Sequence, residues 1–174
     1  MNDTQMLLLV DENDTFSGQY AEKEKCHQGK GIHHRAFVVL LYNKSREVLL
    51  QQRKHIRWDN YWDLTAISHV LHFPDHDETY EEAAHRSLQV EMGIPEIPLT
   101  NVGGFNYYAK YGGQCENEFC AVLLGTYDGK ITPDKDVLYT YAWLSEDTFF
   151  ADIKRNPKKY TPWAIKSVPF IKKL

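Results

Sequence analysis

The chain has 174 residues, 43% of them hydrophobic, 25% charged and 13% aromatic, which suits one folded domain, 1–174, with a core and an apolar-walled pocket. Its formal net charge of −4, from 20 Lys and Arg against 24 Asp and Glu, argues against general nucleic-acid binding, and no apolar run approaches the roughly 18–20 residues of a membrane span. The start, Met1 to Gln5, lacks the basic and apolar segments of a leader, and Cys26, Cys115 and Cys120 close no disulfide framework, so the expectation is a soluble, cytoplasmic protein with reduced thiols.

Met6-Leu7-Leu8-Leu9-Val10 reads as a first strand, stopped by the turn-forming run Asp11-Glu12-Asn13-Asp14. Ala36 to Tyr42 is a continuous apolar strand expected to be buried on both faces, and Asn43-Lys44-Ser45-Arg46 turns it into Glu47 to Arg53 as a hairpin. Residues 79–92 carry Tyr80, Ala84 and Leu88 on one helical face and end at Gly93. Glu116 to Leu124 and Tyr139 to Leu144 read as strands. Ser145 then caps a short helix with Glu146 and Asp147 in its first turn, and Thr161-Pro162 opens a final helix. Strands and helices alternate irregularly, which predicts a mixed α/β (α+β) sandwich and not a doubly wound parallel sheet.

Glu116 and Glu118 lie two apart on a predicted strand, so they share a face, which Cys120, Val122 and Leu124 continue as apolar. Two carboxylates on a partly buried face need a cation or a proton; the alternative is a solvent-facing strand end. Glu91 sits near the helix's apolar stripe, where an inward carboxylate usually meets a metal or an Arg, although a surface Glu is the commoner case. His27, His33 and His34 precede the first long strand, and His69 follows a small, apolar segment where a core histidine is the ordinary reading. Imidazole together with carboxylate suits Mn, Zn or Fe(II) better than Mg alone.

An ordered set of motifs runs nearly end to end. It comprises Val10-Asp11-Glu12-Asn13 with Gly18, Glu22-Lys23 before Cys26-His27, His34-Arg35-Ala36-Phe37 and Leu49-Leu50-Gln51-Gln52-Arg53. It continues with Tyr61-Trp62, Ser68-His69, Arg86 with Glu91-Met92-Gly93-Ile94, Glu116-Asn117-Glu118-Phe119-Cys120, Tyr141-Ala142-Trp143 and Thr161-Pro162-Trp163. In this set the chain resembles the type I isopentenyl diphosphate isomerases of the Nudix superfamily. The resemblance implies a Nudix-type α/β/α sandwich with a mixed β-sheet, and a small-molecule diphosphate substrate bound by a monomer or homodimer. It implies Mn or Zn held by His27, His34, His69, Glu116 and Glu118, with His33 a neighbour and not a ligand. Glu91 matches the acidic residue that helps hold Mg against the diphosphate. Lys23, Arg53 and Arg86 match basic diphosphate contacts, with Lys54 and Arg57 as looser candidates. Tyr107 and Trp163 match aromatic residues that face a carbocation, and Tyr107 and Glu118 are the implied catalytic groups.

One departure bears on the chemistry. The family's isomerisation uses a cysteine two residues before the third histidine, and here that position is Ile67, which carries no exchangeable proton. Losing a positioned acid or base commonly costs about 10²–10⁴-fold; Cys26, Cys115 and Tyr107 are the conceivable stand-ins. The Nudix hydrolase box is also incomplete. Glu78, Arg86, Leu88, Glu91, Gly93 and Ile94 fit it, but His72 replaces its Gly, and Ser87 and Val90 replace two of its Glu, as the isomerases also lack them. Three functions follow: an isomerase-like enzyme of a short prenyl diphosphate, a metal-dependent hydrolase of a prenyl or nucleoside diphosphate, or an inactive diphosphate binder.

Overall fold

The structure, a computed structural model, describes residues 4–171, so Met1 to Asp3, part of the start read above for a leader, lie outside it. In chain order it runs β1 (Met6–Val10), β2 (Phe16–Glu22), α1 (Lys23–Cys26), β3 (His34–Tyr42), β4 (Glu47–Arg53), β5 (Trp62–Asp63), β6 (Ala66–His69) and β7 (Leu71–His72). Then follow α2 (Tyr80–Met92), β8 (Leu99–Tyr111), β9 (Gln114–Thr126), β10 (Leu138–Ser145), α3 (Glu146–Arg155) and α4 (Pro162–Ile171). The sheet is mixed, as expected: β3 pairs in parallel with β9, and its other partners are antiparallel.

The apolar run of β3 is buried on both faces because its residues serve two cores. Phe37, Val39 and Leu41 join an aliphatic core with Ala83, Ala84, Leu88 and Met92 of α2. Val38 and Leu40 face an aromatic core with Trp58, Phe149, Tyr160 and Trp163. Helix α2 begins at a capping box in which Thr79 and Glu82 satisfy each other's backbone amides, and it ends at Gly93 in the left-handed region at φ 64°. A Cβ on Gly93 would meet the Thr132 carbonyl oxygen at 2.8 Å, so both backbone shape and space require glycine there.

The expected hairpin forms and is short. The Asn43–Arg46 turn forms, but β3 and β4 pair only at Tyr42↔Val48, and β4 takes β10 as its long antiparallel partner, from Leu138↔Arg53 to Ser145↔Glu47. The strands divide at Thr65, whose hydroxyl accepts from Leu41 N at 2.9 Å and donates to Leu49 O at 2.7 Å. Strand β6 then occupies the β3 edge, from Val39↔Ala66 to Ala36↔His69. The strand read from Glu116 is longer than expected. It runs Gln114–Thr126 and forms an extended hairpin with β8, which carries a register shift between Asn101 and Gly104.

Candidate metal centre and cavity

The pairing of β3 gathers the polar side chains. His34 lies opposite Glu118 of β9, His69 lies opposite Ala36 at the end of β6, and Tyr107 of β8 lies opposite Glu118. His27 follows α1 and is tied to β9 by a 3.0 Å hydrogen bond from Cys115 N to its carbonyl. As a result His27, His34, His69, Glu116 and Glu118 each offer a ligand atom, all within 4.8 Å of one another. Both carboxylates are buried, at 5% and 2% exposure, which overturns the alternative of a solvent-facing strand end.

The hydrogen bonds at the back of the cluster orient its lone pairs. Nδ1 of His27 donates to Lys23 O at 2.6 Å, and Nδ1 of His34 donates to Ile32 O at 2.7 Å. In the neutral tautomers so selected, Nε2 carries a lone pair. Nε2 of His27 lies 2.7 Å from Glu116 Oε2, and Nε2 of His34 lies 3.2 Å from Glu118 Oε1. Neither nitrogen has a hydrogen-bond partner. Lone pairs facing carboxylate oxygens in a buried site repel, and a divalent cation among them turns that repulsion into coordination. Three imidazoles and two carboxylates form a nitrogen–oxygen donor set that fits such an ion.

Charges around the cluster reinforce this electrostatic picture. Burial and the neighbouring His34, Lys23 and His27 hold the His69 imidazole well below the ordinary histidine range. Burial acts to raise the Glu118 carboxyl, but the polar side chains packed on it, His34, Glu116 and Tyr107, hold it low. The Tyr107 hydroxyl donates to Glu118 Oε2. Arg57, a looser candidate in the sequence, is buried and lies with Nε 3.1 Å from Glu116 Oε1.

A cavity of about 1200 Å³ opens from the cluster. His69, Glu116, Glu118, Tyr107, Ile67, Trp163, Glu91, Lys23, Arg53 and Arg86 all line it, as does Arg57. The basic side chains are braced. Arg86 is held by Glu78 through bonds of 2.6 and 2.8 Å and also donates to His69 O, Arg53 Nη1 bonds Asp63 at 3.0 Å, and Lys23 Nζ bonds Gln5 Oε1 at 2.9 Å.

Glu91 stands apart from the five-residue cluster. It lines the cavity and accepts from Ser87 Oγ and, at 2.7 Å, from Gln51 Nε2, and burial raises its carboxyl. His33 bonds Asn117 Oδ1 and stays outside the cluster. Cys26 and Cys115, two of the conceivable stand-ins, are fully buried and do not line the cavity. Burial, with the Glu118 charge nearby, also pushes the Cys26 thiol up to about 12. Sequence reasoning assigned no role to Gln51 or Asp63. Gln51 left a signal, a polar residue inside an apolar strand run; Asp63 sat beside Trp62 with no periodic pattern to mark it.

Comparison with known proteins agrees with this geometry. The NUDIX domain family matches residues 32–164. The chain is 32% identical over 162 residues to the isopentenyl-diphosphate Delta-isomerase of Serratia proteamaculans, covering 91% of this chain and 87% of that one. It is 36% identical over 159 residues to the isopentenyl-diphosphate Delta-isomerase of Nocardia farcinica, covering 89% and 87%. The crystal structure of DR0079 from Deinococcus radiodurans has the same fold, with a TM-score of 0.68 at 18% identity over 94% of this chain and 97% of that one. The chain belongs to the NUDIX domain family and stands among its isopentenyl-diphosphate isomerase-like enzymes.

Proposed function

We propose that the protein is a metal-dependent isomerase of a short prenyl diphosphate, in which Glu118 and Tyr107 carry the proton transfer. The observation behind this reading is the cluster of three imidazoles and two carboxylates at a cavity lined by four basic side chains, Lys23, Arg53, Arg57 and Arg86. Relatives named isopentenyl-diphosphate Delta-isomerase, at 31–36% identity, support the same substrate class.

His27, His34, His69, Glu116 and Glu118 would hold Mn or Zn, and Glu91 would help hold Mg against the diphosphate. Such ions supply positive charge, which keeps the buried carboxylates ionised and neutralises the phosphates. Lys23, Arg53 and Arg86 bind the diphosphate oxygens. Isomerisation adds a proton to one carbon and removes one from another, through a tertiary carbocation. Tyr107 gives its hydroxyl proton to one carbon, the Glu118 carboxylate takes the proton lost from the other, and that proton returns to the Tyr107 oxygen through the hydrogen bond between the two side chains. Ile67 and Trp163 wall the hydrocarbon and exclude water, and the indole face stabilises the cation. The reading carries with it one domain over 1–174, a monomer or homodimer, and a reducing cytoplasmic compartment, consistent with the buried free thiols of Cys26, Cys115 and Cys120.

Ile67 and the burial of the thiols away from the cavity favour a second reading, hydrolysis of a prenyl or nucleoside diphosphate, which needs no carbon acid. Proton and phosphorus NMR with isopentenyl diphosphate, Mg and Mn in heavy water separates the two. Isomerisation gives deuterium in the carbon skeleton, or the dimethylallyl product, with intact diphosphate. Hydrolysis gives free phosphate or pyrophosphate with the skeleton unchanged. An intact, undeuterated substrate overturns the isomerase reading.

A further inference from the structure

Asp63 is fully buried, yet its side chain touches neither the metal cluster nor a solvent path. Its carboxylate collects donors from two walls of the cavity. Oδ1 accepts from Thr161 Oγ1 at 2.9 Å, both oxygens lie 2.8 Å from Trp163 Nε1, and Oδ2 accepts from Arg53 Nη1 at 3.0 Å. The Arg53 guanidinium carbon also stands 5.2 Å from the centre of the Trp163 ring. Arg53 and Trp163 both line the cavity, one as a cation and the other as an aromatic wall.

A buried carboxylate costs several kcal/mol in desolvation before it finds partners, so such a group persists where its partners satisfy it. Here burial does push the Asp63 carboxyl above its ordinary value, while Arg53 and the Trp163 N–H act against that. What remains of Arg53 is informative. Nη1 is committed to Asp63, yet the side chain still lines the cavity, and a guanidinium held in place beside a cavity is poised for an oxyanion. From strand β5, Asp63 thus fixes the rotamer of a cation on β4 and of an indole on α4.

We propose that Asp63 is a positioning residue that couples phosphate recognition by Arg53 to the placement of the Trp163 wall, so that a diphosphate at Arg53 sets the indole. This inference rests on the diphosphate reading above. The coupling needs an acceptor that is negative and two-sided. In Asp63→Asn one oxygen becomes an N–H₂ facing donors, and the charge that holds Arg53 is gone.

The test uses inorganic pyrophosphate with Mg as the probe, measured by titration calorimetry. Asp63→Asn is expected to weaken pyrophosphate binding by about tenfold or more. In an Arg53→Ala background the same substitution should add little, because its effect runs through Arg53. Thr161→Val removes a donor to Asp63 outside both cavity walls and is the control for plain destabilisation; it should lower the melting temperature and leave pyrophosphate affinity unchanged. Equal binding by Asp63→Asn and the unaltered protein overturns the proposal, as does equal weakening by Thr161→Val.

A measurement on the unaltered protein stands even if Asp63→Asn fails to fold. The Trp163 indole N–H resonance, identified by its loss in Trp163→Phe, should shift when pyrophosphate is added. A resonance that stays still while pyrophosphate binds overturns the coupling alone. An unaltered protein that does not bind pyrophosphate overturns the diphosphate reading, and the proposal with it.

Discussion

The two sides of the central strand β3 solve different problems. Toward α2 the core is built from Phe37 together with Val39, Leu41, Ala83, Ala84, Leu88 and Met92, a mostly aliphatic set with a helix laid over it. Toward α3 and α4 it contains Trp58, Tyr107, Phe149, Tyr160 and Trp163, and the buried acids Glu116, Glu118 and Asp63 stand beside those rings. The first side needs only close packing. The second must also satisfy charges, and it does so with large amphipathic rings whose polar atoms reach the acids: Tyr107 to Glu118, Trp163 to Asp63. One side stabilises the sheet, and the other uses that stability to hold polar groups that would be costly by themselves.

Substitutions on the two sides should therefore separate activity from stability. The largest effect is expected at Glu118→Gln, which should lower turnover of isopentenyl diphosphate by about 10²–10⁴-fold with the circular dichroism of the folded protein retained; full turnover in that variant would remove the proposed role. On the aliphatic side, Leu88→Ala should cost about 2–5 kcal/mol in urea unfolding and leave turnover per folded molecule intact. Mn or Zn at a hundred times its dissociation constant should stabilise the protein by about 2.7 kcal/mol, seen as a raised melting temperature. His34→Ala should abolish that increment, and an equal increment in both proteins would place the ion elsewhere. Ile67→Cys should raise deuterium incorporation into the prenyl skeleton by about tenfold or more if a second acid is all that is lacking. The smallest effect is expected at Thr79→Ala, where loss of the α2 cap should cost about 1 kcal/mol without touching turnover.

Those sides were unequally legible in the sequence. The α2 face declared itself through Tyr80, Ala84 and Leu88 at helical spacing and through Gly93. Strand β3 did so through an unbroken apolar run, since a strand buried on both faces loses its alternation. Strand β8 was missed because Gly103 and Gly104 and the register shift beside them break the period of two. The β3–β4 hairpin was legible from the local turn chemistry of Asn43–Arg46, but its short extent was not, because the division of the strands depends on Thr65, a residue whose role exists only when both strands are present. Motif resemblance named the histidines and glutamates. It was silent about the brace of Asp63 on Arg53, because that pair belongs to no motif of fixed spacing.

The parallel register of β3 on β9, with His34 opposite Glu118, has a consequence for the order in which the molecule comes into being. During synthesis the three histidines leave the ribosome well before either glutamate, and a parallel pairing between distant segments closes late. For that interval the nascent chain holds soft imidazole donors without the carboxylates that complete the set. The cluster is assembled only when the β8–β9 hairpin docks, so the event that pairs β9 with β3 also creates the site, and an ion captured there would hold the two strands together.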